Sequence, residues 1–208
     1  MAGGTTHAQS QNPEAPFSCD GNATPETAIA VATVQGEGPL FFIRKGIGCP
    51  SDQSACREKA YLVPGDTVLT TKPVGEYVCA FFPDSHDGHA GWLRKDRLLP
   101  RSDTPSLSDW EGRWTLDDNV ITLSRRGSSL HADGEAYYPM ADPPLEQFPG
   151  GPNLGSMGGT ARPQGRQVRF VEEDCRVTAI LAGKFLVVSD NQQCGGMNVR
   201  FNGTYQRQ

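Results

Sequence analysis

KFLVVSDNQQCGGMNVRFNGTY, residues 184–205, reads as two strands joined by a cysteine-pinned turn. Phe185, Val187 and Ser189 share one face of the first strand and Leu186 and Val188 the other. Apolar groups therefore stand on both sides, and the strand is expected to be covered on both. On the return, Val199 and Phe201 alternate with Asn198, Arg200 and Asn202 until Gly203 interrupts and Tyr205 follows. Between the two lies DNQQCGG, where Gly195 and Gly196 supply backbone freedom and Cys194 supplies an anchor.

The rest of the chain agrees with a hairpin-built protein. Of its 208 residues, 24 are Gly and 16 are Pro, and no dozen-residue window repeats apolar groups at helical spacing. The expected fold class is all-β, in two small domains over 17–100 and 110–208. A disordered leader over 1–16 precedes them and a polar linker over 101–109 separates them. The net charge of −5 is spread through the chain, which argues against nucleic acid as a partner. No run of apolar residues is long enough for a transmembrane segment.

In the first domain, strands are expected at 28–34, 40–44, 60–63, 67–71, 76–82 and 89–93, with a 3₁₀ turn over 95–100. The second opens at 110–114, after which residues 119–124, 129–132, 135–138, 160–162, 167–171 and 176–181 join the terminal hairpin to give about eight short strands. An antiparallel barrel or sandwich closes them. Residues 139–159 are expected to be a long loop, including the glycine-rich GGPNLGSMGG, which lacks the lysine and hydroxyl of a phosphate loop.

Six cysteines in even number, none in a C-x-x-C pair, point to an oxidising compartment. Four fall in the first half and two in the second, and the short Cys49–Cys56 interval favours local closure. That leaves Cys19 with Cys79 and Cys175 with Cys194. The expected location is periplasmic or secreted, with a signal peptide removed ahead of this sequence.

The succession AYLVPGDTVL, EYVCAFF and AGWLRKDRLL, within residues 40–100 or so, resembles the bacterial SH3-like domains of exported proteins. The resemblance implies an SH3-like barrel that binds cell-wall peptides or other proteins and carries no chemistry of its own. The second domain is distantly similar, in size, strand rhythm and its terminal Gly203-Thr204-Tyr205, to the small barrels of periplasmic lysozyme inhibitors.

No catalytic constellation stands out: no serine sits in a G-x-S-x-G context, and His131, Asp133 and Glu135 read as polarity on a half-exposed strand. His86 and His89 with Asp84 and Asp87 read as a solvated turn, so neither a metal nor a cofactor is expected. The expected function is a non-catalytic envelope binding protein, most sharply an inhibitor or immunity protein acting by protein–protein contact on a peptidoglycan hydrolase. Alternatives are a peptidoglycan-binding scaffold and an SH3-targeted cell-wall hydrolase. The expected contact residues are Asp190, Asn191, Asn198 and Arg200 on the pinned loop, with Tyr137 or Tyr138 as an aromatic anchor. In the first domain Tyr77 and Trp92 are the aromatics expected to stay partly exposed.

Overall fold

The computed structural model describes residues 19, 30–44, 46–71, 73–84 and 88–208. The expected leader over 1–16 lies outside these. The protein is all-β, with antiparallel sheets of seven and eight strands. The first contains β1 (Ala30–Val34), β2 (Leu40–Ile43), β3 (Arg57–Leu62), β4 (Thr67–Thr70), β5 (Tyr77–Phe82), β6 (His89–Arg94) and β7 (Leu98–Pro100). Its spatial order is β3-β2-β6-β5-β4-β1-β7.

The second sheet contains β8 (Gly112–Leu116), β9 (Asn119–Arg126), β10 (Ser129–Tyr138), β11 (Asn153–Ala161), β12 (Gln167–Glu172), β13 (Cys175–Ala182), β14 (Phe185–Asp190) and β15 (Gly203–Arg207). Consecutive strands pair throughout except at β11 and β12, and β15 returns to pair with β8. The meander is thus nearly a barrel, with one seam between β11 and β12. Trp110, Trp114, Leu130, Phe170, Phe201 and Tyr205 fill its interior.

Three expectations for this sheet are corrected. The two short strands at 129–132 and 135–138 are one ten-residue strand that runs through Gly134. Gly134 sits under the core: a Cβ there would lie 2.7 Å from Met157 Cγ and 3.2 Å from Phe201 Cε1. The glycine-rich stretch is not all loop, because Asn153–Ala161 forms β11. Its glycines answer to the seam, where a Cβ on Gly159 (φ +113°) would stand 2.9 Å from the Val171 carbonyl oxygen. Lastly, the return strand begins at Gly203 rather than Asn198. Val199 and Phe201 do point into the core, but the segment carrying them crosses the barrel end outside the ladder.

The strand pair β13–β14 is buried on both faces. Val177, Ala179, Leu181, Leu186 and Val188 face the barrel interior. Ile180, Ala182 and Val187 face the other way and pack with Val31, Leu69, Cys79, Phe81 and Trp92 of the first sheet. A separate cluster, including Val34, Phe42, Val68, Ala80 and Leu93, is the first sheet's other core.

The two sheets therefore lean on each other. The stretch 101–109, expected as a polar linker, carries part of that contact: Arg101 pairs with Asp103, and Asp103 pairs with Arg166 of the barrel. A short helix, α1 (Leu107–Trp110), follows, with Ser106 and Asp109 forming a capping box. Trp110 is fully buried in the barrel, and its carbonyl accepts from Trp114 Nε1 at 2.9 Å.

Three disulfides join Cys19 to Cys79, Cys49 to Cys56 and Cys175 to Cys194, the pairing expected from the spacing. In the chain-entropy picture the 19-residue interval of the last contributes about 3 kcal/mol. Cys175→Ser is expected to reduce native-state hydrogen-exchange protection in the second sheet more than in the first. Intact-mass analysis showing six free thiols would contradict the pairing. Val187→Asp places a carboxylate in the apolar contact between sheets, so calorimetry should resolve two transitions where the parent shows one.

Candidate binding site

The turn after β14 is organised by a buried carboxylate. Asp190 is 2% exposed, and it accepts hydrogen bonds from the backbone nitrogens of Gln192 at 2.7 Å and Phe201 at 2.5 Å. Its own nitrogen donates to Asn202 Oδ1 at 2.6 Å. These side-chain bonds replace the ladder that the sequence pattern implied for 198–202. Asn191 Oδ1 accepts from Arg176 N at 3.0 Å, and Asn191 Nδ2 donates to the Asp174 carbonyl at 2.8 Å. Asp190 and Asn191, expected as contact residues, thus serve the loop's own backbone. Removing the Asp190 carboxylate would strand a buried donor, at a cost of about 1–3 kcal/mol.

The loop is held at its middle as well. Cys194 bonds to Cys175, Ser156 N donates to the Cys194 carbonyl at 2.9 Å, and Gly196 N donates to the Leu154 carbonyl at 2.9 Å. Gly195 lies directly against Gly155, so a Cβ on Gly195 would come within 2.4 Å of Gly155 Cα. Only glycine on both sides permits this approach. The loop thereby covers the upper edge of β11, which would otherwise present unpaired backbone groups at the seam.

Beside this clasp lies a cleft of about 730 Å³. Glu135 and Tyr137 from β10, Leu154 and Ser156 from β11, and Glu172, Glu173 and Asp174 around the β12–β13 turn form its walls. Four carboxylates meet there, and among the described residues no cationic side chain lines it. The Tyr137 hydroxyl donates to Glu135 Oε2 at 3.1 Å, which holds the phenol's pKa above its usual value. Leu154 is 61% exposed, an apolar group at the mouth of an acidic cleft.

A second depression, of about 330 Å³, opens on the neighbouring side of the loop. It gathers Tyr137, Tyr138, Asn198 and Arg200, so four of the expected contact residues do come together. Asn119 fixes its floor by donating to the Arg200 carbonyl at 3.1 Å and accepting from Tyr137 N at 3.0 Å. Tyr137 and Tyr138 are consecutive on β10 and face opposite sides. Neither is core: Tyr137 is half-buried and Tyr138 exposed.

No protein-family model, curated protein or solved structure matches this chain. Its candidate site rests on geometry alone.

In the first sheet the two expected aromatics part company. Tyr77 is half-buried, and its hydroxyl donates to Asp52 Oδ1 at 2.9 Å. Trp92 is only 6% exposed, so its expected partial exposure is corrected: its ring lies in the apolar contact with Ile180, Ala182 and Val187. Polarity of the indole tip suggested a wet position, yet Nε1 is buried without a hydrogen-bond partner. His86 and Asp87 lie outside the described residues; His89 Nε2 contacts Glu58 Oε2 at 2.8 Å. Among the described residues no group of three or more His, Cys, Asp or Glu side chains is arranged to hold a metal.

The sequence reading missed Glu172, Glu173, Asp174 and Leu154. The acidic run immediately before Cys175 was a usable signal, since the disulfide places it beside Cys194. Gly155→Ala is expected to push the loop off β11 and destabilise the protein by about 2 kcal/mol or more. Urea unfolding, with hydrogen exchange at Ser156 and Gly196, checks this; unchanged protection at both amides would refute the clasp.

Proposed function

We propose that the protein is a non-catalytic binding protein of the bacterial envelope, an inhibitor or immunity protein that engages a peptidoglycan hydrolase through the acidic cleft beside the Cys175–Cys194 disulfide. The observation that carries this reading is the rigidity of that cleft. Its rim is held by a disulfide, a buried carboxylate and a glycine-to-glycine backbone contact. A surface already ordered loses little conformational freedom on binding, so more of its contact free energy appears as affinity.

The composition of the rim supports a protein partner over a small substrate. Tyr137 and Leu154 provide aromatic and apolar contact, and the carboxylates of Glu135, Glu172, Glu173 and Asp174 complement a cationic surface. Three disulfides fit an oxidising compartment, and among the described residues no helix is long and apolar enough to cross a membrane. The periplasm or the cell exterior is the compartment we assign.

Purified glycan-cleaving and peptide-cleaving hydrolases, assayed on purified peptidoglycan, test the proposal. One class should be inhibited at near-equimolar protein. The double variant Glu135→Lys with Glu173→Lys should weaken inhibition at least about tenfold with the fold intact. Release of fragments by this protein alone, or full activity of every hydrolase in its presence, would overturn the reading.

A further inference from the structure

Where the segment after β7 meets one end of the barrel lies a cleft of about 380 Å³, walled in part by Trp114 and Leu181 of the barrel core. Arg101 and Asp103 reach it from the segment after β7, Arg166 from the turn before β12, Lys184 from the β13–β14 turn, and Arg207 from β15. With Asp109, the lining holds four cationic side chains against two carboxylates, an excess of two positive charges in a chain of net charge −5.

Both carboxylates are already engaged. Asp103 accepts from Arg101 at 2.9 and 2.8 Å and also from Arg166. Asp109 is held by Ser106, through its nitrogen at 2.8 Å and its hydroxyl at 2.7 Å. Lys184 and Arg207 have no carboxylate partner among the described residues: Lys184 Nζ lies 5.2 Å from the Phe185 ring, and the Arg207 guanidinium 4.8 Å from the Trp114 ring. Arg166 bonds to Asp103 and to the Leu181 carbonyl, but its Nε is buried with no acceptor. The local field is strong enough to hold the Asp103 carboxyl at about 2, through Arg101 first and Arg166 next.

We propose that this cleft is an oxyanion site, taking one carboxylate or phosphate group of a small ligand between Lys184, Arg207 and Arg166. Guanidinium forks match the planar or tetrahedral oxygens of such groups, and Lys184 together with Arg207, which also donates to the Asp109 carbonyl, neutralises the charge. The volume falls in the lower part of the range of small-ligand sites. The indole of Trp114 forms an apolar wall that strengthens the electrostatic contacts. All three holders belong to the barrel, at the end away from the acidic cleft.

Amide and side-chain NMR titration of the whole chain tests this, with inorganic phosphate and N-acetylalanine as separate probes at constant ionic strength. Resonances of Arg166, Lys184 and Arg207 should shift saturably below about 20 mM probe. Lys184→Ala and Arg207→Gln should each weaken binding about fivefold or more, while Lys59→Ala on β3 changes nothing. Lys184 makes no ion pair or hydrogen bond among the described residues, so its variant reports on binding even if the Arg207 variant folds poorly. Saturation by phosphate alone assigns a phosphorylated ligand, and saturation by N-acetylalanine alone a peptide carboxylate. No saturable shift with either probe, or shifts of equal affinity in Lys184→Ala, overturns the proposal.

Discussion

Burial of β13–β14 on both faces is the constraint on which the molecule depends. Antiparallel strands usually leave one face to water, and their sequences then alternate. Here Leu186 and Val188 fill the barrel while Val187 packs on the first sheet. The strand pair is at once a stave of one sheet and the floor of the other. Apolar side chains on both faces drive this, since each Val or Leu buried contributes about 1.5–3 kcal/mol. It also explains why Trp92 is dry: the surface that an isolated first domain would offer is occupied by the second.

The end of the barrel that carries the acidic cleft is built by a different means. The ladder ends one bond past Asp190, at Asn191 N to the Arg176 carbonyl, and a set of side-chain bonds continues the work: Asp190 to the Gln192 and Phe201 nitrogens, Asn191 to Arg176 and Asp174, Asn119 to Arg200 and Tyr137. Polar residues in a loop are commonly taken as a surface for partners. In this loop they are its skeleton, and the surface is made by the neighbours that the skeleton holds apart.

Much of the fold was legible because alternation and turn formers are local signals. Val31, Phe81 and Phe170 lie on strands that were expected near where they occur. The failures share a cause, which is that the deciding contact was remote in sequence. Gly155 and Gly159 carry no strand propensity; the ladder to Ala136 and Ala132 of β10 makes them strand residues, and the approach of Gly195 and of the Val171 carbonyl requires glycine there. Phe201 alternates like a strand residue, but the Asp190 carboxylate takes its nitrogen out of the ladder. The candidate site was half visible for the same reason. Tyr137, Tyr138, Asn198 and Arg200 do converge, whereas Glu172, Glu173 and Asp174 become neighbours of Leu154 only once the barrel closes.

That closure is unequal around the circumference. Seven of the eight strand junctions are laddered, and the eighth, between β11 and β12, relies on glycine contacts and the loop that bridges Gly155 to Gly195. A cylinder with one unstitched line does not deform uniformly: under thermal agitation its compliance concentrates along that line, and the remaining staves move nearly as one plate. The acidic cleft stands at the top of the line, where the disulfide and the backbone bonds from the loop to β11 close it. Any yielding of the wall is thus left to the stretch below the clasp, and the width of the cleft at its mouth is fixed by the loop's bonds to β11.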